Sequence, residues 1–332
     1  MDQFKRIPEA DLFSNLAMYE PFSDSTKDLS PAAFPGRNVY IVTDQQVPAE
    51  TVARLGATVL PSLDGLTDDQ IARALVYVYF GCDSDAVASL RRLKAAGGTY
   101  VPQLNFMKTE YRFVNRKAND ALRATWSKSD RVSHLLMPIH ENICEAIEIT
   151  SHLGGDYVEI GVFRGGSALT ALNYLEQQQH TAGATRRKAW LLDTFEGFNY
   201  EEARTSSDAL WSDTHKLYGR DATMAHIRET LSHITVPFEM VAGNICADEL
   251  PAEITRISVA NIDVDMYEPT LAAYRKVADL IEVGGLIIAE DPASTPGLYG
   301  ALLAMEEFLE SEQGKRFYKV FKGSQYFLIK MR

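Results

Sequence analysis

The segment Tyr157-Val158-Glu159-Ile160-Gly161-Val162-Phe163-Arg164-Gly165-Gly166-Ser167 runs an apolar strand into glycines, then into an apolar helical stretch with Ala168, Leu169, Leu172 and Leu175. Glycines at the end of a first strand let a ligand approach the backbone, and the crevice beyond the strand ends is where open α/β sheets bind ligands. The spacing is Gly-x-x-x-Gly-Gly, which is not the G-x-G-x-x-G of dinucleotide enzymes and lacks the Lys-Ser/Thr of a P-loop. From here onward strand-like and helix-like patterns alternate, as in a parallel sheet covered by helices. The expected strands are 157–160, 189–192, 238–241, 257–264 and 285–289. Two further β-rich runs, 317–321 and 325–329, flank Lys322-Gly323-Ser324, a hairpin signal. The expected architecture is an open α/β sheet of parallel strands finished by an antiparallel hairpin.

Glu159, two residues before the first glycine, favours a nucleoside with a positive centre over a polyphosphate. That pattern suits S-adenosylmethionine (SAM), whose sulfonium and amino groups are cationic. Gly161, Arg164, Gly165, Gly166 and Ser167 are then candidate cofactor contacts with Glu159. The next strand ends in Leu192-Asp193-Thr194-Phe195-Glu196-Gly197-Phe198, and Asp193 is placed to accept the ribose hydroxyls. A helix N-cap is the plainer role for such an aspartate. Gly243 and Asn244, after the third strand, are candidates for the adenine edge.

Two acidic strand ends follow. Ile262-Asp263-Val264-Asp265-Met266-Tyr267-Glu268-Pro269-Thr270 closes one strand and Glu290-Asp291-Pro292 the next. Asp263 and Glu290 are 290 − 263 = 27 residues apart, room for one loop, one helix and one strand, so both return to the same sheet edge. Adjacent strands lie about 4.8 Å apart. Asp263, Glu290 and Asp291 can therefore converge, and three such carboxylates repel unless a cation sits between them. Oxygen-only ligands suit a hard divalent ion, Mg²⁺ first. Solvent-screened acids capping the following helices are the alternative.

The blocks VEIGVFRGGS (158–167), LDTFEGF (192–198), DELP (248–251), IDVDMYEPT (262–270) and GGLIIAEDP (284–292), taken in order, resemble the macrocin O-methyltransferase family. The resemblance covers a little over half the chain. It implies a class I SAM-dependent methyltransferase fold, Rossmann-like, with seven strands and the last antiparallel. It also implies Mg²⁺-dependent methylation of sugar hydroxyls in natural-product biosynthesis. Asp263, Glu290 and Asp291 would hold the metal, and Glu159, Gly161 and Asp193 would lie in the SAM pocket. Relatives commonly have glycine where Val264 stands, serine where Pro269 stands, and aspartate where Glu290 stands. An added N-terminal domain is a feature of the two-domain, tetrameric mycinamicin-type relatives.

On this reading the methyl goes directly to an acceptor oxygen, and a base must take the proton. Asp265, on the same face of an extended strand as Asp263, is one candidate; Asp263 itself and His215 are the others. Asn199 to Arg220 is a long polar segment with Trp211, His215 and Tyr218, expected either as a lid or as a solvated, partly helical excursion. Two rivals share these residues. Asp263-x-Asp265 has the D-x-D form of a metal-dependent glycosyltransferase, and a SAM-binding protein need not methylate.

The rest of the chain sets the context. The expected division is residues 1–130, an auxiliary α/β domain, and residues 131–332. In the first part, 38–43, 74–80 and 99–104 read as strands and 49–55 and 85–96 as helices, with Thr67-x-x-Gln70 as a capping box. Residues 105–152 read as helical and amphipathic, and the first 36 as an irregular arm. Of 332 residues, 33 are Lys or Arg and 45 Asp or Glu, a net charge of −12. That argues against nucleic acid or an anionic membrane as partner. The expected partner is a small-molecule hydroxyl acceptor, with a homo-oligomer as the expected assembly. Three scattered cysteines suggest neither a disulfide framework nor zinc. The charged start MDQFKRIPEADLF and the short longest apolar run, 74–80, lead to the expectation of a cytoplasmic protein.

Overall fold

The structure is a computed structural model that describes residues 35–44, 46–78, 80, 83–100, 116–127, 137–179, 186–206, 208–215, 218–294, 300–323 and 325–332. The chain divides into two compact units, Met1–Arg116 and Lys117–Arg332. Most of the expected N-terminal arm, Cys82, and residues 101–104 of the expected third strand lie outside the described residues.

The first unit is a small parallel sheet. Strands β1 (Val39–Val42), β2 (Ala57–Leu60), β3 (Leu75–Val78) and β4 (Thr99–Tyr100) lie in the order β2-β1-β3-β4. Alternation along β1 and β3 serves two faces. Val39, Ile41, Leu55, Leu75 and Tyr77 form one buried cluster; Val42, Val76 and Val78 join Leu63, Ile71 and Leu93 in another. Helix Asp68–Ala72 opens on the capping box expected at Thr67, both reciprocal hydrogen bonds being present. Strand β2 carries no sequence signal of its own, because as an edge strand it leaves Thr58 and Val59 exposed.

The second unit begins earlier than the 130/131 division. Helix Arg116–Trp126 packs within it, as Thr125 Oγ1 lies 2.6 Å from Thr170 Oγ1 and the Trp126 ring meets His140 edge-on. Its seven strands are β5 (Asp156–Ile160), β6 (Ala189–Asp193), β7 (Phe238–Ala242), β8 (Ile257–Ile262), β9 (Ile281–Ala289), β10 (Phe317–Phe321) and β11 (Tyr326–Lys330). They lie in the order β10-β11-β9-β8-β5-β6-β7. Only β11 runs antiparallel to its neighbours, pairing with both β9 and β10. Numbered from β5, that order is 3-2-1-4-5-7-6 with the last strand reversed, the class I methyltransferase arrangement implied by the resemblance. The central strands are buried along nearly their whole length, as strands covered on both faces are. Among the described residues no helix is long and apolar enough to cross a membrane.

The strand order reverses between β5 and β8, and this switch point positions the site. Backbone hydrogen bonds continue past the strand ends: Gly161 N–H to Leu192 O, Asp263 N–H to Ile160 O, Gly243 N–H to Asp193 O and Glu290 N–H to Ile262 O, at 2.9 to 3.1 Å. Five strand tips, those of β5 to β9, therefore stand side by side.

Candidate active site

Gly161 turns the chain at the tip of β5 with φ +95°, and a Cβ there would stand 1.7 Å from the carbonyl oxygen of Asp263. Only glycine lets the β8 tail pass this close. Val162 and Phe163 then donate their N–H groups to Asp193 Oδ2 at 2.7 and 2.9 Å, while Asp193 Oδ1 accepts from Phe195 N–H at 2.8 Å. Asp193 is thus neither a helix N-cap nor an unengaged carboxylate. It staples the glycine turn to the loop after β6 and still lines the cavity.

Glu159 lies beneath that floor with no solvent exposure. It accepts from Tyr157 Oη at 2.6 Å and Ser167 Oγ at 2.8 Å. Burial, only partly offset by these bonds and by Asn261 on the neighbouring strand, pushes its carboxyl up to about 7. Its reach into the cavity is through Ser167.

A cavity of about 490 Å³ opens above these strand tips, within the range of small-molecule sites. Of the expected residues, Gly161, Arg164, Gly166, Ser167, Asp193, Gly243 and Asn244 line it, as do His215, Asp263, Asp265, Glu290 and Asp291. Glu159 and Gly165 do not; Gly165 faces Ile227 instead. Asn244 spends its side chain locally, donating to Glu202 at 2.8 Å and accepting from Cys246 N–H at 3.0 Å.

At the acidic corner, ligand oxygens of Asp263, Asp265 and Asp291 lie within 4.8 Å of one another. Asp265 stands in the group where the sequence suggested Glu290, which borders it from the wall. The reason is local geometry: Asp265 has φ +57°, which swings it off the extended path. Asp291 Oδ2 fixes that turn by accepting the N–H groups of Val264 at 3.0 Å and Asp265 at 2.7 Å. Burial, with the negative charges of Glu290, Asp291 and Asp265, raises the Asp263 carboxyl well above its ordinary range. Such crowding favours a cation, and the all-oxygen donor set fits a hard divalent one.

His215 stands in an aromatic nest, its ring centroid 5.4, 5.1 and 5.3 Å from those of Phe163, Phe198 and Trp211. The 199–220 segment is partly helical (Glu201–Thr205) and places Tyr200 and His215 on the cavity wall, beside Phe198 just before it. Sequence reading missed Asp248, which lines the cavity and holds Asn244 N–H at 2.7 Å; its position in the DELP block was the available signal. Thr223 and Tyr200 also line the cavity and carry no recognisable motif. Among the described residues seven carboxylates line the cavity against one guanidinium, that of Arg164.

The chain matches the family model described as Macrocin-O-methyltransferase (TylF) over residues 116–314. It is 28% identical over 167 residues to the 8-demethyl-8-(2,3-dimethoxy-alpha-L-rhamnosyl)-tetracenomycin-C 4'-O-methyltransferase of Streptomyces olivaceus, covering 45% of this chain and 58% of that protein. It is 26% identical over 166 residues to the demethyldecarbamoylnovobiocin O-methyltransferase of Streptomyces niveus, covering 47% and 60%. The chain thus spans less than two thirds of the length of these curated relatives. Among solved structures, the O-methyltransferase NovP aligns with a TM-score of 0.48 at 19% identity, over 59% of this chain and 81% of that one. The family match extends over more than half of the sequence, and the chain belongs to the macrocin-O-methyltransferase (TylF) family.

Proposed function

We propose that this protein transfers the methyl group of SAM to a hydroxyl of a natural-product glycoside, with Mg²⁺ at the acidic corner. The observation that carries the reading is the meeting of the glycine turn and the carboxylate cluster in one cavity at the switch point of the sheet. The name of the tetracenomycin relative, which carries a rhamnosyl group, supports a sugar-bearing acceptor. When bound, SAM supplies an activated methyl group and the divalent ion lowers the cost of charge on the acceptor oxygen. Asp263, Glu290 and Asp291 are the proposed ligands. Asp265, drawn into the cluster, is placed to take the acceptor proton. Arg164 and the glycine turn hold the nucleoside end, and the aromatic wall of Phe163, Phe198 and His215 excludes water and orients the acceptor. The net charge of −12 supports a small-molecule partner over nucleic acid or an anionic membrane. A cytoplasmic homo-oligomer, assembled through the N-terminal unit, belongs to the same proposal.

Calorimetry tests it. SAM and S-adenosylhomocysteine are titrated with Mg²⁺ and with EDTA into the wild type, Asp263→Ala and Asp265→Asn. The expectation is that nucleoside binding survives Asp263→Ala while Mg²⁺ binding does not. Asp265→Asn keeps both and loses about 10²–10⁴-fold in turnover, the usual worth of a general base. A wild type that binds neither nucleoside sinks the proposal, and nucleotide sugars would then be tried against the D-x-D reading.

A further inference from the structure

We propose that Asp208 is a positioning residue that locks the cavity's 199–215 wall to the acidic loop 263–266. Helix Tyr267–Ala278 starts directly behind that loop, and its N-cap, Met266, offers no side-chain acceptor. The missing acceptor comes from 59 residues away: Asp208 Oδ2 accepts the N–H of Tyr267 at 2.8 Å. A carboxylate is well suited to a helix N-terminus, where unpaired N–H groups and the helix dipole favour negative charge. Asp208 is buried, and its other oxygen accepts from Ser206 Oγ.

A third element confirms how closely this contact is built. Gly300 opens helix Gly300–Glu310, and a Cβ on it would stand 1.6 Å from Asp208 Oδ2 and 2.8 Å from Tyr267 N. The space that holds the carboxylate exists because residue 300 has no side chain.

The acidic loop is thereby held at both ends by carboxylates from elsewhere. Asp291 takes the N–H groups of Val264 and Asp265, and Asp208 takes that of Tyr267. Between them lies Asp265 with its positive φ. The segment carrying Asp208 also carries His215, and its base is closed by Phe198 N–H to Thr214 O at 3.2 Å and Asp213 N–H to Phe198 O at 2.8 Å. One side chain therefore fixes both the wall and the carboxylate beneath it. The consequence for turnover rests on the methyl-transfer reading; the consequence for the two segments does not.

The test compares Asp208→Ala and Asp208→Asn in the full chain. Asparagine keeps an oxygen acceptor for Tyr267 N–H. In Asp208→Ala, hydrogen exchange is expected to rise together in segments 199–215 and 263–270 and to stay unchanged in strand β5 and helix Gly166–Gln179. Turnover falls about 10–10²-fold, as for a misplaced reacting group, while S-adenosylhomocysteine affinity and KM for SAM hold within about threefold. Asp208→Asn restores both exchange and kcat to near wild type. The proposal is overturned if either segment keeps its exchange rate in Asp208→Ala, if nucleoside affinity falls in step with kcat, or if asparagine fails to rescue. If the wild type methylates nothing, exchange and its rescue by asparagine alone decide the matter. Gly300→Ala, which displaces the same carboxylate from the other side, is expected to raise exchange in the same two segments.

Discussion

At Glu159, burial and hydrogen bonding pull in opposite directions, and burial wins. An ordinary glutamate loses its proton near 4.5, whereas this one holds it up to about 7. The native state thus binds a proton that the unfolded chain has released. The stabilisation this gives is fully present below about pH 4.5 and is lost as pH rises through about 7, a total of about 3 kcal/mol. Glu159→Gln cannot ionise, so its melting temperature relative to wild type should climb between pH 5 and pH 8. A difference that stays flat over that range would show that the carboxyl is ionised throughout. That an acid stands before the glycine turn is legible in the sequence. That it faces Tyr157 and Ser167 rather than the cavity is not, because side-chain direction at a strand end depends on what the neighbouring strands leave open. Asp193 repeats the lesson: its oxygens are engaged by three backbone N–H groups from two loops.

Among the elements, helix ends are completed by distant residues. Helix Met137–Ile149 has no basic residue in its last turn. Arg187 supplies one: it is buried and donates to the carbonyl oxygens of Ile147 and Thr150 and to Thr150 Oγ1. Burial lowers its guanidinium to about 10, still protonated near neutrality, with Glu282 and Glu148 opposing the shift. Lys330 also reaches the end of helix Tyr267–Ala278, whose last turn already carries Arg275 and Lys276, donating to Ala278 O at 2.9 Å and, just beyond the helix, to Ile281 O at 2.7 Å. Arg187→Met should cost about 2–4 kcal/mol, because the helix end loses charged donors and stays buried. Urea unfolding measures it, and a cost below about 0.5 kcal/mol would mean that water replaces the guanidinium. Local signals fared better where the partner is local. The Thr67–Gln70 capping box and the β10–β11 hairpin were readable because both halves lie within a few residues. Strand β2 was not, since an exposed edge strand needs no apolar run.

For the molecule as a whole, the proposed methyl transfer carries an expectation about the charge of the acceptor. Seven carboxylates face the cavity against one guanidinium among the described residues, in a chain of net charge −12. A neutral glycoside should therefore turn over at least about tenfold better in kcat/KM than the same sugar on a nucleoside diphosphate, and the gap should narrow as salt rises. Equal rates, or a gap indifferent to salt, would count against the charged lining as a filter. The sequence by itself determined the parallel sheet, its closing hairpin, the glycine turn and the acidic strand ends. Each of these is written in contiguous residues whose period and turn chemistry act locally. Only the tertiary structure decided which carboxylates cluster, which one lies under the floor, and that Asp208 reaches the helix behind the acidic loop. Those outcomes depend on the 3-2-1-4-5-7-6 strand order and on the missing side chains of Gly300 and Gly161, where a Cβ would stand 1.6 and 1.7 Å from a neighbouring oxygen; together they juxtapose residues that no local pattern links.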